Sequence, residues 1–188
     1  LLVWDPADGQ IAAGGLVVRN GIISERLAQG GEPAQPVDEV FDASGLVVVP
    51  GLINTHHHFY QTLTRAHRKA LNKPLFPWLQ ALYPVWAGLT PEMVALSTRL
   101  AAAELMLSGC STAVDHHYVF PKGLSDAIDV QAESMARMGM RAALTRGSMS
   151  LGESSGGLPP DSVVQTNQEI LDDSERLISR WHSGDAGS

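Results

Sequence analysis

Short apolar runs alternate with helical stretches through the second part of this chain, and this order limits the folds open to it. The runs cover residues 46–54, 112–114 and 140–144. They lack the apolar-polar alternation of a half-exposed strand, which is typical of strands buried on both faces. Strand, helix, strand, helix and strand in this order predict a parallel sheet of the α/β class.

Capping residues mark the ends of the predicted helices. Thr90 is the expected N-cap of a helix that has Pro91 at its first position and runs to Leu107. Ser125 is predicted to cap the next helix, which Gly139 ends. A last amphipathic helix is predicted to place five apolar side chains on one side: Ile170, Leu171, Leu177, Ile178 and Trp181.

The first 49 residues are predicted to form a small β-rich unit. Asn20 and Gly21 lie between apolar segments and accept the positive φ angles that a tight hairpin demands. Residues 29–36 are rich in Gly and Pro and are expected to form a loop. A unit of this size is thin and needs a partner surface.

The balance of charges excludes some classes of partner. Thirteen Lys plus Arg against twenty Asp plus Glu give a formal net charge of −7, the wrong sign for holding nucleic acid phosphates or an anionic membrane surface. The single cysteine, Cys110, cannot form an internal disulfide or a zinc site with two thiolates, which favours a reducing, cytoplasmic location. We expect neither a signal peptide nor a membrane span, since no apolar run approaches roughly 20 residues.

Three histidines follow the first apolar run of the predicted sheet. Side chains alternate along a strand, so His56 and His58 are expected to point to one side and His57 to the other. Two imidazoles on one face of a rigid element suit a divalent metal, at the strand end where parallel α/β folds place their active sites. The alternative is a chance polar tract whose side chains are satisfied within the turn.

Polar and aromatic residues near the other strand ends are further candidates for lining or covering the pocket. One of His116 and His117 is expected to line the same pocket, with His117 favoured, and Asp115 could orient a ligand. The alternative is that these side chains pair with other groups inside the loop instead of lining the pocket. The same two alternatives apply to Arg146, at the end of the third strand. Three aromatic residues stand among prolines, in a predicted loop that either covers an aromatic base or packs: Trp78, Tyr83 and Trp86.

The residues from Val49 to His58 resemble the first barrel strand of the amidohydrolase superfamily. The β-rich stretch before them is similar to the small sandwich domain in the branch of cytosine deaminases, guanine deaminases and chlorohydrolases. The resemblance implies a small β-sandwich segment at 1–49, followed at 50–188 by the first three to four βα units of a (β/α)8 TIM barrel. A barrel needs roughly 250 residues, and residues 183–188 have a loop composition, so we expect a part of a longer polypeptide.

The resemblance also implies an activity. In this superfamily the first-strand pair, here His56 and His58, holds one divalent metal with ligands from later strands, which are expected beyond Ser188 together with the general-base Glu. The metal is expected to be zinc, with iron as the alternative, and it supplies hydroxide near neutral pH. The implied reaction is hydrolytic deamination of a carbon that bears an exocyclic amine. The chain alone is not expected to be a competent enzyme.

Gln61 narrows the implied substrate. The spacing His56-x-His58-x-x-Gln61 is similar to that of guanine deaminases, in which the Gln reads the purine edge, although a single Gln can also be a turn residue. Further matches at Phe59-Tyr60 and at 115–118 make the 8-oxoguanine deaminase group the closest resemblance. The resemblance therefore implies a purine-type substrate, 8-oxoguanine or guanine-like, bound by Gln61 and His117.

Other functions stay open at this stage. A cytosine-type or s-triazine amino- or chlorohydrolase of the same branch, a two-metal enzyme with a carboxylated Lys, and a non-catalytic metal-binding α/β fragment are the alternatives. The expected partner in the enzyme readings is a small heterocycle, with no nucleic acid and no membrane. A homo-oligomer is possible.

Overall fold

The computed structural model of the chain describes residues 1–7 and 9–182, so the predicted loop at 183–188 lies outside the described residues. These residues fall into two compact units that divide after Gly51. The first unit is a four-stranded sheet in the order β3-β2-β1-β4. Its strands are β1 (Leu2–Trp4), β2 (Ile11–Arg19), β3 (Ile22–Ala28) and β4 (Val47–Val48).

The predicted hairpin is present in the first unit. Asn20 and Gly21 have φ angles of 52° and 77°, and they join β2 to β3 with Arg19 opposite Ile22. Residues 29–36 form no helix or strand, as predicted. β1 pairs with β2 in antiparallel fashion and with β4 in parallel fashion.

The second unit alternates strands and helices around a parallel sheet in the order β5-β6-β7. The prediction of a parallel α/β sheet is therefore confirmed. The elements are β5 (Leu52–His57), α1 (Leu75–Trp86), α2 (Pro91–Leu107), β6 (Cys110–His117), α3 (Ala127–Met138), β7 (Arg141–Arg146) and α4 (Asn167–Trp181). Three 3₁₀ turns lie at Phe59–Thr64, Glu153–Ser155 and Asp161–Val163.

The single buried strand predicted at residues 46–54 is wrong. The structure divides this stretch into β4 and β5, which belong to different units and are separated by Pro50 and Gly51. The exposed fractions of Leu52 and Ile53 are 59% and 65%. Successive side chains of a strand point to opposite faces, so both faces of β5 are open to solvent at its start.

Helix α2 begins and ends as predicted. The Thr90 hydroxyl accepts a hydrogen bond from the Met93 N–H (3.3 Å), and Ser108 and Gly109 follow the last turn. Helix α3 ends at Gly139, whose φ is 70°. Ser125 was the wrong cap, because the first helical bond runs from the Val130 N–H to the carbonyl of Asp126, which makes Asp126 the N-cap.

The predicted loop of aromatic residues is also wrong, since Trp78, Tyr83 and Trp86 lie on α1. Pro77 falls in its first turn, where a helix needs no N–H donor, and Pro84 lies near its end. Tyr83 and Trp86 belong to the larger core cluster with Tyr60 and Leu82. A second cluster packs the sheet against α2 and α3: Phe59, Ala101, Ala102, Cys110, Ala113, Met135 and Met140.

Helix α4 is present, but its apolar stripe is less buried than predicted. Leu177 is buried, whereas Leu171 and Ile178 are 64% and 62% exposed. Ion pairs connect the helix to its neighbours: Arg176 and Arg180 reach Asp129 on α3 (2.7 and 2.9 Å), and Asp173 reaches Arg146 on β7 (2.9 Å). Among the described residues, no helix is long and apolar enough to cross a membrane.

Candidate metal and purine site

The end of β5 brings two imidazoles together. The Nε2 atoms of His56 and His58 lie 3.2 Å apart, as expected for side chains two residues apart on one face of a strand. The ring of His57 packs against that of Phe59, with 5.1 Å between the ring centroids. The strand therefore brings two ring nitrogens close together, as the sequence predicted.

A main-chain group sets the tautomer of His58. Its Nδ1 lies 2.6 Å from the carbonyl oxygen of His116 at the end of β6. Because a carbonyl only accepts, Nδ1 carries the proton, and the Nε2 lone pair of the neutral ring is left to accept a hydrogen bond or to bind a metal. Burial lowers the pKa of His58, against the opposing effect of this hydrogen bond, and so favours the neutral ring. A free Nε2 is the form that binds a metal.

The separation of the two nitrogens fits a shared metal ion. Two imidazole nitrogens bound to one tetrahedral zinc at its usual bond lengths lie about 3.3 Å apart. No group of three or more His, Cys, Asp or Glu side chains arranged for a metal occurs among residues 1–7 and 9–182. The described residues therefore bring two candidate ligand nitrogens together, and a tetrahedral metal site needs two more ligands.

The histidines at the end of β6 lie in different surroundings. The ring of His116 stacks on that of His56, with 4.5 Å between centroids. His117 is fully buried against Tyr60 and Phe120, and its Nε2 donates to the carbonyl of Val119 (2.8 Å). Burial lowers the pKa of His117 to about 4, so its ring is neutral. The structure thus places His116, rather than the favoured His117, beside the histidine pair.

Asp115 anchors the turn that follows the histidines. Its carboxylate accepts hydrogen bonds from the Phe59 N–H (2.6 Å) and from Nε2 of Gln131 (2.7 Å), and it is fully buried. Burial raises the pKa of Asp115 to about 6, although both hydrogen bonds act in the opposite direction. The sequence suggested that Asp115 orients a ligand; the structure shows that it fixes the backbone immediately after His58.

A cavity of about 550 Å³ opens beside the histidine pair. Its wall includes His56, His57, His58, Gln61 and Trp78. Gln61 lies in the 3₁₀ turn, and its Nε2 lies 3.3 Å from the hydroxyl of Tyr60 and 3.2 Å from that of Tyr118. The predicted ligand pair and the predicted substrate-binding amide thus share one cavity, whereas His117 is not among the residues that line it.

Arg146 does not reach this cavity in the structure. Its guanidinium bonds to Asp173 (2.9 Å), to Gln165 (2.6 Å) and to the Gly147 carbonyl (2.7 Å), and it lies over the ring of Phe120. This is the pairing alternative that the sequence left open.

Comparison with known proteins identifies the family. The sequence model of the Amidohydrolase family matches residues 47–184. The chain belongs to the amidohydrolase family.

Two amidohydrolase relatives show how the chain compares with longer proteins. It is 63% identical over 182 residues to an 8-oxoguanine deaminase of Pseudomonas aeruginosa, which covers 97% of this chain and 40% of that protein. It is 37% identical to a hydroxydechloroatrazine ethylaminohydrolase of Pseudomonas sp. strain ADP, over 77% of this chain and 31% of that protein. The chain therefore spans less than half the length of these relatives.

A solved amidohydrolase structure has the same arrangement of elements. A mutant atrazine chlorohydrolase from Arthrobacter aurescens TC1, complexed with zinc and atraton, superposes with a TM-score of 0.87 at 25% identity. The match covers 98% of this chain and 42% of that one. The mixed α/β architecture is thus that of amidohydrolase enzymes, and the presence of zinc in that relative supports a divalent metal in this family site.

The sequence missed several residues around the amidohydrolase site. Tyr60 and Tyr118 were not singled out as partners of Gln61, although each follows closely on a strand that ends in histidines. His67 is half-buried on the cavity wall. These positions depend on how the turns fold back, which strand periodicity does not predict.

Proposed function

We propose that the intact protein is a metal-dependent hydrolytic deaminase that acts on a purine-type base, 8-oxoguanine or a guanine-like ring. The observation that carries the proposal is the shared cavity, in which the paired Nε2 atoms of His56 and His58 and the amide of Gln61 meet. The 63% identity to a protein named 8-oxoguanine deaminase supports it. The reaction adds water to the ring carbon that bears the amine and releases ammonia.

The residues of this chain have distinct parts in the proposal. His56 and His58 hold one divalent metal ion, zinc or else iron, which when bound lowers the pKa of water toward neutrality. Gln61 hydrogen-bonds the edge of the base, and Trp78 gives the cavity an aromatic wall. The assignment of His117 to substrate binding stays a prediction from the sequence. The remaining metal ligands and the general base are proposed to lie in other parts of the polypeptide.

The architecture proposed for the intact protein extends the two described units. The first unit, 1–49 in the sequence-based division, is proposed to belong to a small β-sandwich, and the βα units from residue 50 onward to begin a (β/α)8 barrel. The superposition on the zinc-containing chlorohydrolase supports this arrangement. A cytoplasmic location and binding to a small heterocycle, rather than to nucleic acid or membrane, complete the proposal.

A substrate panel tests the proposed activity. Ammonia release by the zinc-loaded intact protein is measured with 8-oxoguanine, guanine and cytosine, and amine release with an alkylamino-hydroxy-s-triazine. We expect turnover of a purine. Turnover of the triazine alone would favour the second candidate, a triazine aminohydrolase, to which the 37% identical relative points. Turnover of none of them would contradict the deaminase.

Gln61→Ala tests the role of the amide in the same assay. An unpaired polar edge in a desolvated site costs ~1–3 kcal/mol, so we expect kcat/KM for the purine to fall by about 10-fold or more with the metal content unchanged. Gln168→Ala, the same change on the exposed surface of α4, is the matched control and leaves the kinetics unaltered. An unchanged kcat/KM in Gln61→Ala would make Gln61 a turn residue.

A further inference from the structure

The two tyrosines that flank Gln61 determine which end of its amide faces the cavity. Nε2 of Gln61 lies within hydrogen-bond distance of both hydroxyls, that of Tyr60 at 3.3 Å and that of Tyr118 at 3.2 Å. These two contacts use both hydrogens of the amide NH2 group. The Oε1 atom accepts no hydrogen bond from residues 1–7 and 9–182, and the side chain borders the cavity.

The tyrosine pair itself is held in place by packing. Tyr60 is fully buried, and its ring lies edge to face with that of Tyr118, with 5.8 Å between centroids. Both contacts to the hydroxyls run from Nε2 of Gln61, so the group of Gln61 that faces the tyrosines is the NH2 group.

The position of the tyrosines ties them to the metal site. Tyr118 lies one residue past β6, and its ring meets that of His58 edge to face with 5.3 Å between centroids. Tyr60 lies two residues after His58 and is held in the larger core cluster by an edge-to-face contact with Trp86. The hydroxyl pair is therefore fixed by the same strand ends that fix the histidines.

We propose that Tyr118, with Tyr60 behind it, is a positioning residue that presents Gln61 Oε1 to the substrate, so that the site selects a heterocycle edge carrying an N–H donor. This inference rests on the proposed purine deaminase function. It adds that the recognised edge of the substrate is a hydrogen-bond donor. A lactam ring has such a donor at its protonated ring nitrogen. An analogue methylated at that nitrogen keeps the ring and loses the donor.

Selectivity for the N–H edge is the quantity to measure. The kcat/KM values of the zinc-loaded intact protein for 8-oxoguanine and for its analogues methylated singly at each ring N–H are compared by ammonia release, with zinc content checked in each variant. We expect one methylation to lower kcat/KM by about tenfold or more in the unaltered protein. Tyr118→Phe is expected to remove most of that preference while retaining zinc. Tyr83 is a buried tyrosine with no hydrogen bond to Gln61, so Tyr83→Phe is the matched control. It is expected to keep the preference for the unmethylated edge.

Substitutions of Gln61 determine which end faces the ligand. Gln61→Glu keeps an acceptor toward the cavity and lets the tyrosine hydroxyls donate to its other oxygen, so it is expected to retain the preference. Gln61→Met removes the acceptor and is expected to lose the preference for the N–H edge. Adding Tyr118→Phe to Gln61→Met is expected to cause no further change in that preference. Loss of the preference in Gln61→Glu as complete as in Gln61→Met would mean that the NH2 group faces the ligand, and would overturn the inference.

The remaining outcomes separate this inference from the proposed function. Purine turnover together with an unchanged methylation preference in Tyr118→Phe would overturn the positioning role and leave the deaminase standing. A further loss of preference when Tyr118→Phe is added to Gln61→Met would show that the tyrosine acts by another route, and would also overturn it. Absence of purine turnover in the unaltered protein would overturn both.

Discussion

His56 and His58 differ from His57 in where strand alternation directs them, and the difference can be tested one residue at a time. In the intact protein, His56→Ala or His58→Ala is expected to remove the bound metal and all turnover, because each supplies one of two Nε2 atoms 3.2 Å apart. His57→Ala is expected to keep both the metal and turnover. Metal analysis of the purified variants by mass spectrometry checks this. Equal loss in all three variants, or metal retained in His58→Ala, would contradict the ligand assignment.

The buried carboxyl of Asp115 gives the protein a pH-dependent stability at the scale of one residue. Its pKa in the folded state is about 6, above the ordinary value of 3.8, because burial disfavours the charged form. Between about pH 4 and pH 6 the folded protein holds a proton that the unfolded chain has lost. The contribution of Asp115 to the free energy of unfolding therefore falls as the pH rises through this window.

Asp115→Asn isolates that contribution. The asparagine oxygen can accept from the Phe59 N–H, and its NH2 group can donate to Gln131, whose buried Oε1 has no partner in the described structure. The Tm of the variant relative to the unaltered protein is expected to increase from pH 4.5 to pH 7, measured by scanning calorimetry on the intact protein. Other titrating groups cancel in the difference. A difference that is constant or decreases with pH would refute the raised pKa.

Among the elements, the ends of β6 and β7 approach each other closely enough to be sensitive to added volume. The Gly147 N–H donates to the His117 carbonyl (2.7 Å), and a Cβ on Gly147 would lie 2.6 Å from Cβ of Tyr118 and 2.9 Å from that carbonyl. Gly147→Ala must therefore displace backbone and is expected to cost ~1–3 kcal/mol of stability. Gly88→Ala, whose Cβ would lie 3.4 Å from the Val85 oxygen, is the control with little effect. Equal denaturation midpoints in urea for the two variants would contradict this.

Elements with local signals were predictable from the sequence. The cap at Thr90, the stop at Gly139 and the turn at Asn20-Gly21 each depend on the chemistry of one or two residues, and the structure confirms them. Burial was less predictable, because it depends on neighbours far along the chain. The same apolar residues that predicted a buried strand at 46–54 lie in two separate units, and Leu52 is exposed.

The candidate site also contains features that the sequence predicted and features that it did not. The convergence of His56 and His58 follows from the period of a strand, so the sequence predicted it. The surroundings of His116 and His117 depend on how the chain turns after β6, so the sequence did not show that His116 stacks on His56 while His117 is buried against the carbonyl of Val119. The hydrogen bonds from Gln61 to two tyrosines distant from each other in sequence have no local signal at all.

At the scale of the whole molecule, the second unit presents apolar surface that other structure must cover. Its sheet has β5 and β7 as open edges among the described residues, and Leu52 and Ile53 are more than half exposed. Residues 1–188 expressed alone are therefore expected to be insoluble, or to form a molten species that binds a hydrophobic dye. Sedimentation and dye fluorescence, with the intact protein as the control, check this.

A soluble product with a cooperative thermal transition would contradict that expectation. It would show that residues 1–188 bury these side chains without further structure. The barrel architecture would then have to be replaced by a compact arrangement of the first sheet with three βα units.

The bond between His58 and the carbonyl of His116 also bears on how such a protein can diverge. The group that holds the metal-binding tautomer is main chain, and every amino acid carries it. Replacement of the side chain at position 116 therefore leaves the tautomer of His58 fixed as long as β6 keeps its register. In the proposed enzyme, position 116, whose ring stacks on His56, can therefore change in evolution while the two proposed metal ligands keep their geometry.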